Sequence, residues 1–327
     1  MRLLRVEVDR FTSRRLARFA VLGALAIVAI AILGMWQTAK PLPESQVAMM
    51  RADFEIAVQE WEENGDEIIA TCEADEAVAQ KDDPSIDFGC EMQEPVWENW
   101  TWEEPTFAEE SPNILPVLAV PLAFVSFLVG VSFLAAEFTT GSMGNWLTFE
   151  PRRTRVYFSK VAAAAVATVP VALVVLAVAI GGAWVAYTAN DHVGTMTTDR
   201  WGEVAVSGVR VLLLMVGFAA LGAALGALVR HTAAVMGIVL GYAVVVEGML
   251  GSLVEALQPY LLRLNMMAVA SGEATYGTEE CRMVDGAQVC EWVQQSVSLT
   301  HGAVTMGAVL VVGVVLGWVT FRRRDVV

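Results

Sequence analysis

Several stretches of this chain run for 18 or more residues without a charged side chain. Each is long enough to cross the roughly 30 Å hydrocarbon core of a bilayer. Hydrophobic residues make up 56% of the 327 positions and mean hydropathy is +0.54. A soluble globular protein, a disordered acidic chain and a small disulfide scaffold are therefore excluded. The expectation is an all-α polytopic membrane protein.

Six spans follow from the pattern, at residues 19–36, 114–136, 161–187, 211–229, 232–254 and 303–321. The fifth is uncharged only as far as Val246, before Glu247 interrupts it. Basic residues precede the first span, as in a signal peptide, but no good small-residue cleavage site follows Trp36, so it reads as a retained helix. With the N-terminus inside, segments 1–18, 137–160 and 322–327 and the link at Arg230 carry 14 of the 21 basic residues. The far longer outer segments carry six: Lys40, Arg51, Lys81, Arg200, Arg263 and Arg282. That asymmetry places both termini in the cytoplasm. Trp36, Trp184, Tyr187 and Trp201 then fall at the outer interface and Trp318 at the inner one.

The acidity belongs to one segment. Residues 37–113 contain 21 Asp and Glu against three basic residues, about −18, in a chain whose net charge is −15. Within it, residues 45–71 have helix-forming composition, with Val47, Phe54, Ala57, Trp61 and Ile68 at roughly helical spacing. Residues 94–112, rich in Trp and Glu, read as an irregular or strand-like cover. Such a segment is either an acidic vestibule for cationic cargo or ions, or a solvated anionic cap, and the cap is the commoner use of a charge run. All four cysteines lie in outer segments. Cys72 with Cys90 and Cys281 with Cys290 are the favoured disulfides, because each pair closes a local loop. Metal ligation is the disfavoured rival, since neither pair has zinc-site spacing or neighbouring histidines. Asn99-Trp100-Thr101 matches a glycosylation acceptor, a pattern that occurs often by chance.

Motifs for covalent chemistry are missing. There are three lysines and none follows a glycine, so no phosphate-binding loop exists; the three histidines, His192, His231 and His301, are scattered. No catalytic residues, metal site or cofactor is expected in the chain, and nothing points to nucleic acid. Uphill transport would have to draw on a partner or an ion gradient.

The informative segment runs from Glu137 to Lys160. Phe138, Trp146, Leu147 and Phe149 offer an apolar surface, and Arg152, Arg153 and Arg155 follow Pro151 at headgroup level. An inside loop obeying the charge rule explains the arginines but not the Glu-x-x-x-Gly or the aromatics. The pattern Glu-Phe-x-x-Gly-Ser, followed by Leu, Pro, Arg and Lys, resembles the signature of ABC-2-type transporter permeases. The matching positions are Glu137, Phe138, Gly141, Ser142, Leu147, Pro151, Arg155 and Lys160, and Trp146 lies among them. Ser142 stands where Thr is commoner.

The resemblance implies that this segment is a coupling helix docking on a separate ATP-binding-cassette subunit, which would bind the ATP and Mg. It also implies a second permease copy or paralogue, an N-terminal amphipathic helix, and a re-entrant outer hairpin after the fifth span, within residues 255–302. Leu4, Val8 and Phe11 do form an apolar row beside Arg10, Arg14, Arg15 and Arg18, as an interfacial helix in contact with membrane lipids needs. The enlarged outer segment departs from the family pattern. By the resemblance the cargo is a drug, peptide, lipid or glycan leaving the cell; the Ala, Val and Arg bias suggests a bacterium, and so a bacterial plasma membrane.

Glu247 and Glu255 interrupt apolar sequence. They are either contacts in the translocation path or its outer gate, or ends of a hairpin reaching the headgroups, where the penalty for charge is small. Gly222-x-x-x-Gly226 and Gly237-x-x-x-Gly241 permit close helix packing, though such spacings arise readily in Ala/Gly-rich spans. Two other functions compete. A membrane receptor or assembly protein would use the acidic segment to bind a ligand. An ion-coupled carrier is disfavoured by the lack of an inverted repeat.

Overall fold

The computed structural model describes residues 2–81, 86–90, 94–100, 104–284 and 287–323. Among them, six helices are long and apolar enough to cross a membrane. They are α2 (Arg15–Thr38), α5 (Phe107–Thr139), α7 (Arg153–Thr188), α8 (Thr198–Val229), a composite fifth helix over Thr232–Leu253, and α12 (Leu299–Arg323). The composite is α9 (Thr232–Tyr242), a π-helical turn (Ala243–Leu250) and α10 (Gly251–Leu253). Shorter helices are α1 (Arg2–Ser13), α4 (Trp97–Trp100), α6 (Ser142–Phe149) and α11 (Leu262–Ser271); α3 (Glu44–Ala79) is long but polar. Residues 324–327 of the expected tail, and Thr101 of the glycosylation match, lie outside the described residues.

The chain divides into two compact units, Thr38–Pro105 and the remainder. In the larger unit α5 and α8 form the central pair, and glycine makes their approach possible. A Cβ at Gly226 would come within 2.6 Å of the Val131 carbonyl oxygen, and one at Gly222 would overlap the Phe127 carbonyl. The Gly222-x-x-x-Gly226 pair is thus used in packing. The Gly237-x-x-x-Gly241 pair has open space over both glycines. Helices α7 and α12 pack on α8, and α11 folds back onto α12, α5 and α8.

Among the described residues of 94–112, expected as an irregular or strand-like cover, 94–96 and 104–106 are irregular, Trp97–Trp100 is a helical turn and no strand occurs. The sequence Thr106-Phe-Ala-Glu109 closes a capping box: the Thr106 hydroxyl accepts from Glu109 N and the Glu109 carboxylate accepts from Thr106 N. That starts α5 at Phe107, before the apolar run begins. Pro112 lies within the helix, and the Ser111 hydroxyl donates to the Ala108 carbonyl that Pro112 cannot reach. Phe107 anchors this end among Trp184, Tyr187 and Trp201, with ring centroids 5.1, 6.0 and 6.3 Å away.

Residues 255–302, expected as an outer hairpin and loop, contain a 3₁₀ turn (Glu255–Tyr260), α11 and an antiparallel β-hairpin of β1 (Glu273–Val284) and β2 (Ala287–Ser298). Cys281 and Cys290 pair directly across it and are disulfide-bonded. The hairpin had a readable signal. Asp285-Gly286 separates two strand-like runs by two residues, the spacing that favours a tight turn.

The unit Thr38–Pro105 is built on α3. Val47, Phe54, Ala57 and Trp61 are half-buried, Ile68 of the same expected row is exposed, and the charged positions are exposed apart from the half-buried Glu76. Phe54 meets Trp97 and Trp100 edge-on at 5.3 and 5.9 Å, and the Cys72–Cys90 disulfide ties the segment after α3 back to the helix.

Candidate functional site: a buried charge cluster beneath a short amphipathic helix

The segment between the second and third spans begins with a turn that needs glycine. Helix α5 ends at Thr139, where the Thr139 and Thr140 hydroxyls both donate to the Ala136 carbonyl at 3.0 and 2.9 Å. Gly141 then adopts φ +69°, a left-handed conformation that costs a side-chain-bearing residue about 1–2 kcal/mol. Ser142 opens α6, and its hydroxyl donates to the Glu137 carbonyl at 3.4 Å. The hydroxyl needed here is present in either Ser or Thr, so the Ser142 departure preserves the turn. At the far end Glu150 is extended, and an ion pair from Arg155 to Glu150 at 3.5 Å spans the passage through Pro151 into α7.

Below α6 lies a cluster of charges removed from water. Lys160 of α7 is 0% exposed, and its Nζ sits 2.6 Å from Glu137 Oε2 and 2.8 Å from Glu7 Oε2 of α1. Glu137 also receives Arg14 at 3.1 Å, and Arg10 lies 3.8 Å from Glu7 Oε1. Two carboxylates against one lysine would leave excess negative charge, and the two arginines offset it. Burial pulls the Arg14 guanidinium below its ordinary pKa, and Glu137 opposes that shift; at any physiological pH it stays charged. Aromatic faces complete the shell. Trp146 of α6 lies 5.9 Å from Lys160 and 5.2 Å from Arg10, and Phe133 lies 5.0 Å from Arg14. Cations over ring faces gain further attraction where water is excluded.

The cluster changes the reading of α1. Its apolar row does not face lipid: Phe11 is buried edge-on to Phe133 at 5.1 Å, and Leu4 and Val8 pack on the same core. Glu7 shares that face, and a carboxylate there requires Lys160 as partner, so the row belongs against α7. The expected helix over residues 1–18 also breaks at Arg14, where α1 ends and α2 begins a residue later.

The signature residues fall into two groups. Glu137 and Lys160 are buried, and Phe138, Trp146 and Leu147 pack on the core beneath α6. Phe138 also lies under the Arg230 guanidinium at 4.9 Å. Gly141, Pro151 and Arg155 are exposed, and Phe149 at 84% is the most exposed large apolar residue of the segment. Tyr157, absent from the sequence-based set, is buried and donates to the Val314 carbonyl at 2.8 Å, fixing α7 to α12. No motif announced it.

Glu247 and Glu255 lie elsewhere. The Glu247 carboxylate accepts the Arg263 backbone N–H at 3.0 and 3.3 Å, in the first turn of α11, where the helix dipole favours an anion. Glu255 accepts Glu279 N of β1 at 3.3 Å. Glu247 thus ties the fifth span to α11, and Glu255 ties the 3₁₀ turn after that span to β1.

The chain is thus a multi-pass helical membrane protein with a short amphipathic helix packed on a buried charge cluster. The sequence model of a family described as ABC-2 family transporter protein matches residues 6–326, and the chain belongs to that family. Members of that family are membrane-spanning components of ABC transporters that work with an ATP-binding-cassette ATPase and lack an ATP site of their own, and this chain is a membrane-spanning ABC transporter subunit. No curated protein and no solved structure gives a significant match.

Proposed function

We propose that this chain is the permease subunit of an ATP-driven exporter in a bacterial plasma membrane, working as a pair of identical or paralogous copies with both termini cytoplasmic. Helix α6 is the coupling helix, and Phe149 is the side chain that enters a groove on the ATPase subunit. The observation that carries this reading is the division of labour around α6. Its inward side is fixed on the Glu7–Lys160–Glu137 cluster, and its outward end offers an exposed phenylalanine.

A helix fixed in this way transmits motion. When ATP binding closes the ATPase pair, a push at Phe149 moves α5, α7 and α1 together, because the three meet at Lys160. Glu137 and Lys160 act as positioning residues; Gly141 sets the angle at which α6 leaves α5. The cargo is amphipathic, of the drug, peptide, lipid or glycan type, and Glu247 and Glu255 shape the outer end of its path by holding α11 and the hairpin in place.

The test is copurification of the tagged chain in mild detergent, with the partners identified by mass spectrometry and ATP hydrolysis assayed. A stoichiometric ATP-binding-cassette subunit is expected, and Phe149→Asp is expected to lose it while the chain stays folded. A partnerless, ATP-silent chain would overturn the proposal and return the acidic segment to prominence as a receptor's ligand-binding part.

A further inference from the structure

The first spanning helix leaves a gap beside the bundle. Of α2 only Ala24 and Val28 are buried. Between the first turns of α2 and the rest of its unit lies a half-open apolar pocket with a cavity volume of about 120 Å³. Its walls are Val21 and Ala24 of α2, Val129 of α5, Ala167 and Val171 of α7, and Met215 of α8. Two hydroxyls, Ser126 and Thr168, also line it. Both donate within their own helices, to Leu122 and Ala164 carbonyls at 2.9 and 2.8 Å. The walls therefore present no free donor and suit a hydrocarbon chain.

The rim is different. Thr12 and Arg18 border the pocket, and Arg15 stands one turn before Arg18 on the same helix face. Both arginines are exposed, and among the described residues neither has an ion pair. The buried acids at this end, Glu7 and Glu137, are already engaged by Lys160, Arg10 and Arg14. Two unpaired cations at the end of a spanning helix, above an apolar gap between helices, match an anionic lipid in both charge and polarity.

We propose that this pocket binds one acyl chain of an anionic phospholipid, with the lipid phosphate on Arg18 and Arg15. The site rests on the fold alone and stands whether or not the chain exports anything. Its consequence reaches the cluster. Phe11 and Thr12 of α1 line the pocket, and Glu7, one turn earlier, is bound to Lys160. A lipid in the pocket braces α1 against α7, and with it the support of α6.

The test is native mass spectrometry of the purified full chain, with dioleoyl-phosphatidylglycerol or dioleoyl-phosphatidylcholine added in equal amount. One phosphatidylglycerol per chain is expected to survive desolvation, in clear preference to phosphatidylcholine. Arg15→Gln/Arg18→Gln is expected to weaken its retention about thirtyfold, the effect of two basic charges on anionic lipid. Ala20→Phe fills the pocket with both arginines intact and is expected to lose the lipid too. Arg5→Gln/Arg152→Gln, which removes two other exposed cations, is expected to keep it. Equal retention of the two lipids overturns the proposal, as does undiminished phosphatidylglycerol on the Arg15→Gln/Arg18→Gln variant. Displacement of the lipid by inorganic phosphate, with Ala20→Phe indifferent, overturns it in favour of a free anion. Loss of a dimer in Ala20→Phe, with lipid unchanged, overturns it in favour of a second copy. If Ala20→Phe fails to fold by circular dichroism, the arginine variant decides, since its side chains are at the surface.

Discussion

The junction of α1, α5 and α7 and the segment Thr38–Pro105 are both rich in charge, yet they use it in opposite ways. At the junction, Glu7, Glu137 and Lys160 are withdrawn from water and meet at 2.6 and 2.8 Å. In the segment most acidic side chains stand in solvent along α3. Coulomb attraction strengthens as water leaves, and so does the penalty for an unpaired ion. A few buried charges can therefore fix where three helices meet, while many exposed ones fix little beyond solubility and long-range attraction.

The contrast is broken most severely at Lys160. Lys160→Met leaves two carboxylates buried with only the arginines to answer them, and removing one partner of a buried pair costs about 3–5 kcal/mol. A large fall in the thermal unfolding midpoint in detergent is expected. Glu7→Met/Lys160→Met is expected to recover part of it, because Glu137 keeps Arg14. If the double variant is no more stable than the single, packing and not charge governs the junction.

The next effect belongs to the acidic segment and should stay there. Cys72→Ser opens a loop whose ends are 18 residues apart, a loss of about 3 kcal/mol by chain entropy. Limited proteolysis is expected to cut the segment quickly while the helical unit survives. Loss of both together would contradict the division into two units.

These regions also differ in how far the sequence revealed them. Hydropathy alone marks the six spans, because a bilayer demands long uncharged runs whatever packs beside them. The local disulfides were legible because Cys72 and Cys90, and Cys281 and Cys290, lie close along the chain. The charge cluster was only half visible. Glu137 and Lys160 stood out through the family pattern, but their shared partner Glu7 is 153 residues from Lys160 and lies on a row read as lipid-facing. A helical period shows which residues share a face, not what that face meets. The glycine pair at 222 and 226 shows the same limit: it looks no different from the pair at 237 and 241, and only the first has a neighbouring backbone. The capping box at Thr106 and the Asp285-Gly286 dipeptide between two strand-like runs were local signals overshadowed by the composition around them.

A smaller effect separates shape from charge at the coupling segment. Gly141→Ala adds a methyl group to open space, so any cost comes from φ +69° alone and should be about 1–2 kcal/mol. The expected signature is a modest loss of stability with a larger loss of ATPase association, since the turn aims α6. A stability loss without loss of association would mean that the partner grips α6 regardless of its angle.

The smallest effect sharpens the comparison from the other side. Glu55→Gln/Glu60→Gln/Glu62→Gln removes three exposed carboxylates from α3. Surface substitutions of this kind barely move stability, and here they relieve repulsion among like charges. The unfolding midpoint of the segment is expected to stay unchanged or rise slightly at low salt. The difference should vanish as salt shortens the reach of the remaining charges. A marked fall instead would show that some of these carboxylates are paired, and the segment would then resemble the junction more than its exposure suggests. An unchanged midpoint leaves solvent as the partner of these charges, which is the physical difference from Lys160: water can replace a lost neighbour on α3, and nothing can beneath α6.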